Sequence, residues 1–196
     1  QVFAFDTGPG NMLMDKIMQI STSGKKEYDN GGKLASSGTV NQEILNKLLD
    51  DPYYDNPPPK STGEEMFGQE MSAALYANVE KEMISLQDLM ATLLELTAQS
   101  IVLSYKNFIY PKWDIEEVIF SGGGCNNAVL MDRLRNELSP IKISTSDQYG
   151  ISVDAKEAVA FAVLANELIS GNTNNLPNVT GAARKVPMGK ISLGRD

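Results

Sequence analysis

Asp6 stands where an apolar run, Val2-Phe3-Ala4-Phe5, gives way to the turn Thr7-Gly8-Pro9-Gly10 and then Asn11. A carboxylate at such a place can take a proton from water or bond a ligand hydroxyl. Gly8 and Gly10 carry no Cβ, so backbone N–H groups there can come close to a phosphate, and Pro9 holds the turn. The local pattern alone also allows an Asx turn, in which Asp6 bonds only its own backbone. A second junction, Ser121-Gly122-Gly123-Gly124-Cys125-Asn126-Asn127, repeats the strand–glycine–helix arrangement. Three successive glycines let a flat group such as adenosine lie against the backbone. Asn126 or Asn127 then caps the helix or bonds a ribose or phosphate. A third candidate is Asp154-Ala155-Lys156-Glu157, where Glu157 is either a capping-box acid or a ligand-facing one.

The residue inventory narrows the chemistry. The 196 residues include no His and one Cys, Cys125. A Ser-His-Asp triad, a His-activated thiol, a His-ligated zinc and an intrachain disulfide are therefore impossible within this sequence. Acid–base work falls to Asp, Glu, Lys or Tyr, and Cys125 reads as a packed residue. The net charge of −8 argues against a nucleic-acid groove. It leaves room for a nucleotide whose phosphates are held by backbone N–H groups and a metal ion. No apolar run approaches the ~20 residues of a membrane span. A cytoplasmic setting, without membrane or nucleic-acid partners and without a protein-held metal site, is expected.

These groups need elements to position them. Residues 2–6 read as a buried strand, and Met12, Leu13, Ile17 and Ile20 as one side of a helix. Residues 24–40 read as a hairpin turning at Asp29-Asn30-Gly31-Gly32. A helix over 41–50 is capped by Asn41. The segment DPYYDNPPPKSTG, with three successive prolines, is either a brace or a binding element. Helices follow over 64–82 and from Ser85, whose Asp88 completes a capping box. Then come a strand at 117–121, a helix at 126–138, a strand at 141–145, a helix opening at Asp154, and an Asn/Pro/Gly-rich tail. The alanines at 155, 158, 160, 162 and 165 make that last helix slim enough for a close or moving interface. The pattern predicts an α/β layer protein.

The segments together resemble the anhydro-N-acetylmuramic acid kinase family: FDTGPGNMLMD (5–15), ASSGTVN (35–41), DPYYDNPPPKSTG (51–63), SGGGCNNAVLM (121–131), DAKEAVAFAVLA (154–165) and NLPNVTGA (175–182). The resemblance implies a ribonuclease-H-like lobe of the sugar kinase, heat-shock chaperone and actin superfamily, with a mixed sheet carrying helices. It implies ATP and Mg²⁺ as cofactors and 1,6-anhydro-N-acetylmuramic acid as substrate. Water opens the anhydro bridge, and the freed O6 takes the γ-phosphoryl group. Asp6 matches the catalytic base, with Gly8, Gly10 and Asn11 along the phosphates. Gly122, Gly123, Gly124 and Asn127 would face the nucleoside. Glu157 is a candidate sugar contact, followed by Lys60 and Ser61.

Family members are about twice this length and carry a first phosphate loop that is missing here. The expectation is that 1–196 is a single C-terminal lobe that folds alone but does not turn over substrate. Family members commonly pair, so the helices over 64–82 and 85–106 are expected partner surfaces. A kinase for another anhydro sugar such as levoglucosan, and a non-catalytic binding or oligomerisation lobe, are the competing readings.

Overall fold

The computed structural model describes residues 2–192. Its centre is the helix α5 (Leu86–Ser104), with Leu89, Met90, Leu93, Leu96, Ala98 and Val102 in the core. Ser85 caps it by accepting the Asp88 N–H at 3.0 Å. α5 is apolar on most of its circumference, so other elements must surround it. α1 (Met12–Ser21) buries Leu13, Met14, Ile17 and Met18 on one face against it. α2 (Gln42–Leu49) is capped by Asn41 and packs on another side. The 64–82 stretch is two helices, α3 (Glu64–Phe67) and α4 (Gln69–Glu80). They part at Gly68, where a Cβ would stand 2.1 Å from the Glu64 carbonyl oxygen.

β1 (Glu117–Phe120) pairs in parallel with β2 (Lys142–Thr145), with Val118 opposite Ile143. The crossover is α6 (Ala128–Glu137), which buries Leu130, Met131 and Leu134. Arg133 of α6 reaches Glu95 of α5 with a two-pronged contact, Nε–Oε2 at 2.8 Å and Nη2–Oε1 at 2.7 Å. Burial pushes the Glu95 pKa up, but hydrogen bonds from Arg133 and Gln99 outweigh it and hold the carboxyl below its usual range. α7 (Lys156–Ile169) and the short α8 (Pro177–Thr180) complete the described chain.

The α/β class is as expected, but several local expectations are corrected. Residues 2–6 form no strand and pair with none among the described residues. Their backbone bonds go to Lys60 and Asn178 instead. The 24–40 hairpin is not formed. Asp29 accepts the Leu34 and Ala35 N–H groups at 2.9 Å each, which a β-ladder would have used. The chain there makes 3₁₀ turns at Asn30–Gly32 and Ala35–Ser37. Among the described residues the sheet is therefore a parallel pair, not a mixed sheet. α7 starts after Ala155 with no side-chain cap, and Asp154 accepts the Asn126 amide at 3.4 Å instead of capping α7. The helix opening at Ser85 runs as α to Ser104 and continues as a π turn over Tyr105–Ile109. Because α5 is buried, it is not the partner surface that its length suggests.

Candidate active site

The opening turn is seated on α5. Thr97 Oγ1 donates to the Gly10 carbonyl at 2.6 Å. A Cβ on Gly8 would meet Ser100 Oγ at 2.8 Å and the Tyr54 ring at 3.2 Å, so this approach requires glycine. Asn11 begins α1 without using its side chain as a cap. Its amide lies 3.4 Å from where a Gly124 Cβ would be. The two glycine turns thus meet at Asn11.

Between them opens a cavity of about 590 Å³, within the size range of small-ligand pockets. Asn11, Met14 and Asp15 line one side, Tyr28 to Gly31 another, and Gly123, Asn126, Asn127 and Asp154 the far side. Asn127 spends its Oδ1 on capping α6 at the Leu130 N–H, 3.1 Å away. A Cβ on Gly32 would sit 2.3 Å from that same oxygen, which ties the 3₁₀ turn to the α6 cap. Asp15 lies four residues after Asn11, one helical turn on and on the same face. That spacing is the signal that could have found it. Burial raises the Asp15 pKa to about 6. The wall carries carboxyls and amides but no Lys or Arg.

Asp6 is exposed, and the KST part of the proline-rich segment grips it. Asp6 N–H donates to the Lys60 carbonyl at 3.1 Å, and Tyr53 Oη donates to the Asp6 carbonyl at 2.7 Å. The carboxylate Oδ2 accepts from Ser61 Oγ at 2.8 Å and from the Thr62 N–H at 3.0 Å. Burial, and then the charges of Asp6 and Glu65, push the Tyr53 hydroxyl up to about 12, so it remains a donor. The Lys60 ammonium donates to the Tyr53 and Tyr54 carbonyls at 2.9 and 3.1 Å. It also lies over the Tyr53 and Phe108 rings, 4.6 and 4.8 Å from their centroids. Lys60 therefore braces the loop in this structure.

Gly122 takes a left-handed φ of 90° and donates its N–H to the Val153 carbonyl. Glu157 is exposed on the first turn of α7 and is not part of the cavity wall. Cys125 has its pKa raised by burial and by the charges of Asp147 and Asp154, so it stays a protonated thiol.

A family model described as anhydro-N-acetylmuramic acid kinase matches residues 1–194. The chain belongs to the anhydro-N-acetylmuramic acid kinase family. Curated relatives carrying that name agree. One from Caldanaerobacter subterraneus subsp. tengcongensis is 46% identical, covering 98% of this chain and 48% of the relative. One from Francisella tularensis subsp. novicida is 41% identical, over 98% and 49% respectively. One from Clostridioides difficile is 42% identical, over 97% and 49%. The chain spans about half the length of the curated relatives it matches. Among its described residues, no helix is long and apolar enough to cross a membrane.

Proposed function

We propose that this chain is the C-terminal lobe of an ATP-dependent anhydro-N-acetylmuramic acid kinase, with a ribonuclease-H-like fold, working in the cytoplasm. The observation that carries the reading is the state of Asp6. It is exposed, held through Oδ2 alone, and five residues before Asn11, where the opening turn meets the second glycine loop. Among the described residues nothing bonds its Oδ1.

In the proposed reaction, Asp6 takes a proton from water as the water oxygen bonds C1 of the anhydro sugar. The C1–O6 bond breaks, and its electrons stay on O6. O6 then bonds the γ-phosphorus, whose bond to the bridging oxygen breaks to release ADP. Water attack on the anomeric carbon is what an inverting glycosidase achieves with a base and an acid. Here phosphorus takes the place of the acid, so one carboxylate suffices and no His is required.

Gly8, Gly10 and Asn11 are assigned to the phosphates, the Asn11 amide having no hydrogen-bond partner among the described residues. Gly122, Gly123 and Gly124, with the Asn127 side-chain amide nitrogen and the acidic cavity wall, are assigned to the nucleoside. Ribose hydroxyls and amino groups suit carboxyl and amide neighbours better than phosphate does. Among the described residues no three His, Cys, Asp or Glu side chains converge to cage an ion. Mg²⁺ would therefore arrive on the ATP phosphates, as it commonly does. Glu157 on α7 remains the proposed sugar contact, and Lys60 supports the site through its loop.

The lobe assignment is supported by α7, whose Val159, Phe161 and Val163 are all exposed. Apolar helices of this kind are normally covered. The half of the relatives' length that this chain does not span would supply the cover. Substitution of the base tests the reaction. Asp6→Asn in the full-length enzyme should lower turnover of the anhydro sugar by ~10²–10⁴ and leave ATP affinity near normal. Undiminished turnover would remove Asp6 from the chemistry. Comparing rates on 1,6-anhydro-N-acetylmuramic acid and levoglucosan decides between sugars.

A further inference from the structure

The proline-rich segment was legible as either a brace or a binding element, and its contacts assign it a more particular task. We infer that Ser61 is a positioning residue for Asp6: its hydroxyl, with the Thr62 N–H, pins one carboxylate oxygen and presents the other to the reacting water. The inference rests on the proposal that Asp6 is the base.

Asp6 needs such help. It lies on a segment that pairs with no strand among the described residues, and it is exposed to solvent. A carboxylate in that setting is free to rotate about its side-chain torsions. A general base must instead hold its oxygen within hydrogen-bond reach of one water. Four contacts remove the freedom, and all come from residues 53–62. Two fix the backbone: the Asp6 N–H to the Lys60 carbonyl, and Tyr53 Oη to the Asp6 carbonyl. Two fix the carboxylate, and both fall on Oδ2, from Ser61 Oγ at 2.8 Å and the Thr62 N–H at 3.0 Å. A carboxylate has roughly four acceptor sites, two on each oxygen. With Oδ2 filled, Oδ1 is the oxygen left for the proton.

The clamp is itself held rigid. The Lys60 ammonium ties the loop to the Tyr53 and Tyr54 carbonyls and sits against Phe108. Phe108 belongs to the π turn that prolongs α5, and it also packs edge-on against Phe5, with ring centroids 5.8 Å apart. The core helix, the loop and the base-bearing segment thus form one chain of contacts. Ser61 is the replaceable link in it. Among the described residues its hydroxyl bonds only Asp6, and its side chain lies at the surface, so its removal spares the fold.

The test is steady-state kinetics on the full-length enzyme. Ser61→Ala should lower kcat on the anhydro sugar by about 10-fold or more, the scale of losing one hydrogen bond to a charged group. The KM for ATP and the melting temperature should stay within error. Ser61→Thr, which restores the hydroxyl, should recover most of kcat. In an Asp6→Asn background, adding Ser61→Ala should cost nothing further, because the group it positions is gone. A structural role would give additive losses and a lowered melting temperature, and that pattern overturns the inference. If Asp6→Asn is inactive while Ser61→Ala is fully active, the inference fails and the base assignment stands. If both variants are fully active, the base assignment itself has failed.

Discussion

Asp15 shows at the residue scale what the cavity costs the fold. Its carboxyl is half-buried, and burial alone lifts its pKa to about 6. The folded value lies above the unfolded one of ~3.9, so folding favours the protonated form. The resulting stabilisation is fully present below pH ~4 and is lost as pH rises to about 6. Above that the ionised carboxyl is a liability. Asp15→Asn should therefore raise stability at pH 7–8 and have little effect near pH 3.5. After discounting for solvent screening, the gain is about 1 kcal/mol. Thermal melts of both proteins across that pH range check it, and a gain that is equal at pH 3.5 and pH 8 would refute the burial argument. Retaining a carboxyl that costs stability in a cavity wall is the trade expected of a ligand site.

At the scale of elements, the opening turn and α5 form one unit. Thr97 holds the Gly10 carbonyl, and Gly8 lies where any side chain would strike Ser100 and Tyr54. Gly8→Ala should thus lower stability by about 1–3 kcal/mol, the usual cost of overpacking. Because the turn must lift away from α5 to make room, ATP affinity should fall as well. Urea unfolding and an ATP titration measure the two effects. By contrast, Gly10→Ala meets no neighbour within 4 Å, and its penalty comes from the left-handed φ of 53° alone. Unchanged stability in Gly8→Ala would mean that the turn is not seated on α5 as described.

The whole molecule is unevenly finished. The core around α5 is dense, while α7 has no fully buried residue. Phe161 is 70% exposed and Ile169 77%. The tail touches α7 through the Asn174 amide on the Leu164 carbonyl and through Gly189 against Leu168. The Val159–Val163 stretch is left open. If the other half of a longer chain covers it, Phe161→Asp should change the stability of this 196-residue chain by less than ~0.5 kcal/mol. In the full-length enzyme it should cost ~2 kcal/mol or more, as a charge buried without a partner. Denaturation of both forms, side by side, reads the difference. Equal effects in the two would leave α7 solvent-facing and remove that support for the lobe assignment.

Much of this was determined by the sequence alone, and for local reasons. The spacing of Leu13, Ile17 and Ile20 requires a helix, Ser85 marks the start of α5 (though the Asp88 carboxylate accepts the Thr39 N–H instead of reaching back to the cap), and the glycines before Asn127 mark a strand end. Such signals act within one or two turns of chain, so no distant partner can overrule them cheaply. The six motifs likewise identified the family and nominated Asp6. Tertiary structure decided the rest. Whether residues 2–6 form a strand depends on having a strand beside them, and none is there among the described residues. Whether 24–40 is a hairpin depends on Asp29, which took the N–H groups a ladder needs. Above all, that Ser61 and Thr62 hold Asp6 across some 55 positions is set by how the loop packs on α5 and Phe108. No local periodicity encodes a contact of that range, because it exists only once the core that carries both ends has formed.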